Sequence, residues 1–336
     1  VSRSGHSAPR ATGILGGGFG LYGWLPALRQ SGARVIVLPA RYQPIIASRA
    51  ELAPLLPALT FVADEASVLA GADRLVIARR PGDQAALVAA ALRVGRVREL
   101  VLEKPLAPTP DAAAALLAAI PAAGLAIRVG WSVAMTGWAR ALAAALAARS
   151  PVDVAIAWRF RAHHFRAGLA TWKRRHADGG GALRFYGTQL LAVLARSDVR
   201  LEPEWSRLHS GADGEPARWT ASLRIDGGHG LSHRVRLLVD SDAEAESFAL
   251  TGTGVTPVWR RDPFDARDAV WTPDRRVDRL AELLAEPARP ALRAWHERVV
   301  AAWGAVERLS GPSVTPPCAA SVTTGQERLQ LTSGVV

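Results

Sequence analysis

Glu103, Lys104 and Pro105 close the apolar run "RELVLEKPLAPT" at residues 98 to 109. The chain carries 41 lysines and arginines, and only two of them, Lys104 and Lys173, are lysines. An arginine keeps its proton under ordinary conditions, whereas a desolvated lysine can release and recover one. A lysine ending an apolar strand in an arginine-based chain is therefore a candidate for proton transfer.

A second candidate is the glycine turn in "GILGGGFGLYG" (13 to 23). Gly16 and Gly18 fit the first two positions of a dinucleotide-binding fingerprint, with Leu21 at the third. Gly18, Gly20 and Gly23 repeat the spacing, but Gly16 directly follows a strand-like run. The first glycine allows the tight turn, and the second lets a pyrophosphate approach the N-terminus of the next helix. Phe19 and Gly20, inside the turn, join the cofactor-binding set. The fingerprint expects an acid at the end of the second strand to hold the ribose hydroxyls. Here "VIVLPARYQ" offers Arg41 instead. Arginine can pair a 2′-phosphate, so NADP is expected ahead of NAD.

The elements that must carry these residues alternate. Strand-like runs stand at 12–15, 33–38, 59–62, 74–78, 99–103 and 125–130, with helical patterns such as "GDQAALVAAALRVG" and "TPDAAAALLAAI" between some of them. Short, nearly continuous apolar strands separated by helices imply a parallel sheet covered on both faces. Residues 11–130 are thus expected to form a doubly wound, Rossmann-type domain. After residue 150 the pattern changes. Strand candidates at 151–160, 219–225, 231–239 and 246–252 follow a Gly-rich helix start at 178–196 or precede it, with turn signals at 227–228 and 240–242. Helices are expected near 276–285 and 289–309. Residues 131–320 are expected to form an α/β domain with an open, mostly antiparallel sheet.

Composition narrows the function. The 336 residues are 49% hydrophobic, enough for sizeable cores. Asparagine is absent and arginine abounds, a pattern of codon bias that weakens any reading of the +11 net charge as a nucleic-acid footprint. Residues 1–150 hold 16 basic and 8 acidic residues, which suits an anionic cofactor or substrate. Cys318 is the only cysteine, so no internal disulfide can form. No metal-ligand spacing is present. The N-terminal stretch lacks a signal-peptide core, and the richest apolar run is broken by Pro121 and Gly124. A cytoplasmic protein outside the membrane is expected.

Together, "GILGGGFG…LPAL", "LVIARRPGDQ", "EKPLAPT" and "GGGALRFYGTQLL" resemble the Gfo/Idh/MocA oxidoreductases, the glucose–fructose oxidoreductase and inositol dehydrogenase group. The last stretch, with "WKRR" before it, is similar to a branch associated with surface polysaccharides. The resemblance implies NAD(P)-dependent hydride transfer at a carbonyl or hydroxyl carbon of a sugar or sugar nucleotide. It places Lys104 beside the nicotinamide as proton donor or acceptor, with Glu103 and Arg79 near the cofactor. It implies a homodimer or homotetramer built through the C-terminal sheet.

The chain departs from that family where Asp and His commonly stand four residues apart. Phe185 and Gln189 occupy those positions. Gln189 can hydrogen-bond a substrate but cannot shuttle a proton. Tyr186 and His164, with the adjacent His163, become candidate catalytic partners. Lys173, beside Arg174 and Arg175, offers a cationic patch for a substrate phosphate or carboxylate. Trp172, Trp131 and Phe185 are candidates to pack on a substrate ring. Two alternatives stand beside the sugar oxidoreductase: a reductase of carbon–nitrogen double bonds, and a cofactor-binding protein without turnover.

Overall fold

Strand β1 (Ala11–Leu15) sends Ile14 and Leu15 into two different apolar clusters, one on each face of its sheet. Val76 and Val101 likewise face one cluster while Leu75, Ile77, Leu100 and Leu102 face the other. Period-two alternation between two apolar environments is what a sheet buried on both sides requires. The computed structural model describes residues 11–311 apart from 123, 149, 212, 227–229, 265–269 and 272. The turn signal at 227–228, Cys318 and the ends of the chain lie outside the described residues.

The first sheet adds β2 (Val35–Pro39), β3 (Leu59–Val62), β4 (Arg74–Ile77), β5 (Glu99–Leu102) and β6 (Ala126–Val129). All pairings are parallel and the order is β3-β2-β1-β4-β5-β6, the doubly wound order expected from the sequence. The connections carry α1 (Leu25–Gln30), α2 (Gln43–Ala47), α3 (Glu65–Gly71), α4 (Pro81–Val94) and α5 (Pro110–Ala119). Local chemistry sets their ends. Asp64 caps α3 through the Ser67 N–H at 2.8 Å, and Thr109 caps α5. Proline opens α4 and α5, and left-handed Gly95 closes α4.

Helices α6 (Gly137–Ala147), α7 (His163–Arg166) and α8 (Thr188–Leu194) accompany a second six-stranded sheet in the chain order. Its strands are β7 (Asp153–Arg161), β8 (Arg200–Ser210), β9 (Pro216–Asp226), β10 (Ser232–Asp240), β11 (Asp242–Thr253) and β12 (Val258–Arg260). They run β12-β11-β7-β10-β9-β8, antiparallel except for the β7–β10 pair. The sequence reading missed β8, β12 and α6. Strand β8 is an edge strand whose exposed and half-buried residues blur the alternation. Helix α6 is alanine-rich, so its apolar face is hard to distinguish.

Helices α9 (Arg276–Ala285) and α10 (Pro290–Leu309) return to the first sheet. Buried Arg128 on β6 donates to the Leu283 and Glu286 carbonyls at 2.7 and 2.6 Å. Gln30 on α1 donates to Asp278 at 2.9 Å. Arg293 on α10 holds the Leu117 and Ile120 carbonyls at the end of α5. This return brings the N-terminus of α9 to the carboxyl edge of the parallel strands, where ligands of such sheets bind.

Candidate active site

Lys104 stands two residues beyond β5, with 6% of its surface exposed. Its segment is held from behind by fully buried Gln84 on α4. The Gln84 amide donates to the Glu103 carbonyl at 2.9 Å and the Pro105 carbonyl at 2.8 Å. The Lys104–Pro105 peptide bond is cis. The Glu103 carboxylate accepts from the Trp24 indole at 2.9 Å. Gln84 and Trp24 therefore fix the backbone and the acid on either side of the lysine.

The Lys104 Nζ donates to the Phe185 carbonyl at 2.8 Å and lies 3.5 Å from the centre of the Phe185 ring. A carbonyl and a ring face compensate a buried ammonium only in part. Burial draws the Lys104 pKa down to about 7, Glu103 opposes the change, and Arg276 and Lys173 add to it. Burial likewise raises the Glu103 carboxyl above its ordinary value, against the pull of Lys104. The lysine is thereby poised to exchange a proton near neutral pH.

Two adjoining cavities, each about 390 Å³, share Lys104, Glu103, Phe19, Tyr22, Lys173, Phe185 and Arg276 in their walls. One extends past Gly17, Gly18, Ala78, Arg79 and Trp172. The other extends toward His164, Tyr186 and Gln189. Gly16 has φ +154°, and a Cβ there would lie 2.3 Å from the Ala78 carbonyl oxygen. That close approach of the β1 and β4 ends permits only glycine. A Cβ on Gly18, by contrast, would meet nothing within 4 Å, so its bareness serves open space in the cavity. Helical backbone starts at once, with the Leu21 N–H donating to the Gly18 carbonyl at 2.9 Å.

The remaining sequence candidates divide. Tyr186 packs edge-on against Trp158, Phe160 and Phe185, and its phenol is pushed above its ordinary value by burial. His164, buried at the cavity wall, is held down at about 4 by burial first, then by Lys173 and Arg174, so its ring is neutral. Its Nε2 has no hydrogen-bond partner among the described residues. Lys173 lies 5.6 Å from the centre of the Phe185 ring, and burial lowers its pKa. Trp172 meets Phe185 edge-on at 5.3 Å.

Four expectations change. Arg41 is absent from both cavity walls: its guanidinium and that of Arg79 converge on the Glu65 carboxylate. Gly20 is buried, 3.3 Å from Ala78 if given a Cβ, and serves packing. Gln189 keeps its place in the cavity wall but is also tied to main chain, accepting from the Val133 N–H and donating to the Gly130 carbonyl, both at 3.3 Å. Trp131 is core, with its indole N–H on His296 at 3.3 Å. Arg276, Glu65, Tyr22 and Gln84 were not singled out. Tyr22 and Gln84 lie inside the quoted stretches 13–23 and 75–84, whereas Glu65 and Arg276 reach the site only through the tertiary fold. Among the described residues no group of three or more metal-binding side chains exists, and no helix is long and apolar enough to cross a membrane.

No family model and no curated protein sequence matches the chain. Solved structures do. GenD2 from gentamicin A biosynthesis, in complex with NAD, aligns over 92% of this chain and 97% of its own with TM-score 0.62 and 18% identity. The UDP-N-acetylglucosamine 3-dehydrogenase GnnA from Acidithiobacillus ferrooxidans aligns over 89% and 97% with TM-score 0.61 and 15% identity. The WlbA dehydrogenase from Thermus thermophilus, in complex with NAD and UDP-GlcNAcA, aligns over 88% and 93% with TM-score 0.61 and 17% identity. These neighbours are dehydrogenases of the Gfo/Idh/MocA type, and their two-sheet fold is the fold of this chain.

Proposed function

We propose that the chain is an NAD(P)-dependent oxidoreductase acting on a sugar or sugar nucleotide, with Lys104 as proton donor and acceptor. The observation that carries this is the place of Lys104: buried, near neutral pKa, and at the junction of two cavities. The cavity running to Gly17 and Gly18 suits a dinucleotide, because the open space at Gly18 and the adjoining helix start suit a pyrophosphate. A nicotinamide held there would supply or accept the hydride. Lys104 then stabilises the charge developing on the substrate oxygen and gives or takes its proton. Gln84 and Glu103 act on the lysine, and Phe185 supplies its carbonyl and ring. Neutral His164 and Tyr186 offer hydrogen-bonding groups at the substrate end. The near-neutral lysine also speaks against the reading without turnover.

The coenzyme follows from Glu65. The sequence case for NADP rested on Arg41 standing without an acid. Glu65 supplies one, reaching Arg41 and Arg79 from the first turn of α3. A 2′-phosphate would have to take both arginines from it, whereas NAD leaves the cluster intact. The NAD complexes of GenD2 and WlbA agree with this preference for NAD. The sequence division at 130/131, with α9 and α10 bracing the first sheet, and a dimer formed through the second sheet complete the proposal.

The test has two stages. NADH and NADPH are titrated by fluorescence, and the complex is then assayed with nucleotide sugars in wild type and Lys104→Met. Binding of NADH together with turnover lost in the variant supports the reading. Absence of coenzyme binding removes it.

A further inference from the structure

We propose that Arg184 is a positioning residue for the proton transfer: its guanidinium pins the Lys104 segment to the loop that carries Lys173, and so holds the Lys104 side chain against Phe185. This rests on the oxidoreductase reading of the cleft and adds a residue to it.

Arg184 is 8% exposed and lines neither cavity. It spends four of its five N–H groups on three partners. Nη1 donates to the Pro108 carbonyl at 2.9 Å and to the His176 carbonyl at 2.8 Å. Nε and Nη2 fork onto the Glu307 carboxylate of α10. That carboxylate also accepts from the Trp303 indole at 2.6 Å. A guanidinium is planar and its donors keep fixed directions, so the three partners are set relative to one another.

Two of those partners belong to the site. Pro108 stands four residues after Lys104, and Arg184 directly precedes Phe185. The bond from Arg184 to the Pro108 carbonyl and the bond from Lys104 to the Phe185 carbonyl therefore cross one seam in opposite directions. His176 belongs to the loop that carries Lys173. The Gly181 N–H donates to the Lys173 carbonyl at 2.8 Å and the Gly180 N–H to the Arg175 carbonyl at 2.9 Å, which closes that loop on itself. Gly179, at φ +87°, presses the loop on the opposite wall: a Cβ there would lie 3.0 Å from Pro81 and 3.2 Å from Pro108. Fixing the His176 carbonyl thus fixes Lys173 as well.

Lys104 needs such a clamp because its chemistry depends on burial. Burial is the largest cause of its lowered pKa, with Glu103 from its own segment, Arg276 from α9 and Lys173 from the loop acting on it. The other titratable groups of the wall are Tyr22, Tyr186, His163 and His164. Arg184, its charge met by Glu307, is not among the groups that shift Lys104. An opened seam would admit water to the ammonium and raise its pKa through geometry alone.

The chain's two lysines make the test direct. Protein labelled with carbon-13 at lysine Cε gives two signals, assigned with Lys104→Met and Lys173→Met, and each is titrated with pH by NMR. The double variant Arg184→Gln/Glu307→Gln removes one charge of each sign, so no buried partner is left unpaired. In it the Lys104 pKa should rise by about 1 or more toward its ordinary value, while NADH affinity, read by fluorescence, stays within about threefold. Glu307→Gln alone, which keeps both carbonyl bonds, should raise it by about 0.5, and decides the matter if the double variant does not fold. A Lys104 pKa that falls, or stays within about 0.2 of wild type in every folded variant while stability in urea drops, overturns the proposal and leaves Arg184 a purely structural residue. If wild type binds no NADH, the oxidoreductase reading fails, and that outcome is separate from the lysine titration.

Discussion

Replacing Lys104 with methionine keeps the stem and removes the charge and the proton. The structure gives the consequence a pH window. The pKa of Lys104 falls from 10.5 to about 7 on folding, first because burial penalises its charged form. A cation depressed in this way leaves the folded state at full stability above pH 10.5 and costs it stability as pH falls toward 7. Each pH unit inside that window is worth about 1.4 kcal/mol, so the buried lysine costs on the order of a few kcal/mol at neutrality. Methionine cannot incur that cost. Urea denaturation of wild type and Lys104→Met at pH 7 and at pH 10 isolates the effect, because the lost contact with the Phe185 carbonyl is common to both conditions. Relative to wild type, the variant should be more stable at pH 7 than at pH 10. Across neutral pH, substrate oxidation by wild type should rise up to about 7 and level off above it, since it needs the free amine. Carbonyl reduction should fall above about 7. The variant should lose about a hundredfold or more in turnover in either direction, on the scale of general acid–base catalysis. Lys104→Arg should also be slow, because it restores charge without a usable proton. A stability difference that does not change with pH would refute the burial argument, and full turnover by Lys104→Met would refute the catalytic one.

Glu65→Gln should raise NADPH affinity relative to NADH by about tenfold, through release of Arg41 and Arg79 for a 2′-phosphate; fluorescence titration of both coenzymes reads this, and equal changes would remove the cluster from coenzyme choice. Gln84→Leu leaves the Glu103 and Pro105 carbonyls without their buried donor, so it should lower kcat by displacing Lys104 while leaving coenzyme Kd near wild type; an unchanged kcat would show that the lysine is positioned without it. Gln189→Ala should destabilise the fold by roughly 1–3 kcal/mol through unpaired main chain, a loss that chemical denaturation would detect and a purely substrate-binding role would not produce. The Glu307 carboxyl is held at about 2 by hydrogen bonds from His176 and Arg184, although burial opposes them. Its contribution is present above pH 4.5 and lost as pH falls toward 2, about 3 kcal/mol in all, and Glu307→Gln should flatten the acid limb of the stability curve between those values.

The first sheet was legible because its strands are short, mostly apolar and bounded by helices whose ends announce themselves. Strand β3 falls on residues 59–62 and helix α9 on residues 276–285, as read from the sequence. The second sheet was legible only where one face is buried. Strand β10 alternates strictly between exposed and buried over its first six residues and could be read. Strand β8, at the edge and interrupted by register shifts, could not.

The site divides along the same physical line. Lys104 stood out because its chemistry contradicts the chain's own arginine preference, and Gly16 because it opens a glycine fingerprint directly after a strand-like run. Both signals are local. The residues that decide what Lys104 can do are not. Gln84 lies on the preceding helix, Phe185 beneath the ammonium comes from the second half of the chain, and Arg276 arrives 172 positions later at the head of α9. Arg41 depends on the fold in the same way. Its sequence position pointed to a phosphate, and in the folded chain a carboxylate from α3 pairs with it. A motif can therefore name the group that moves a proton. Most of the charges around it, which help set its pKa, come from elements that only the folded chain brings together.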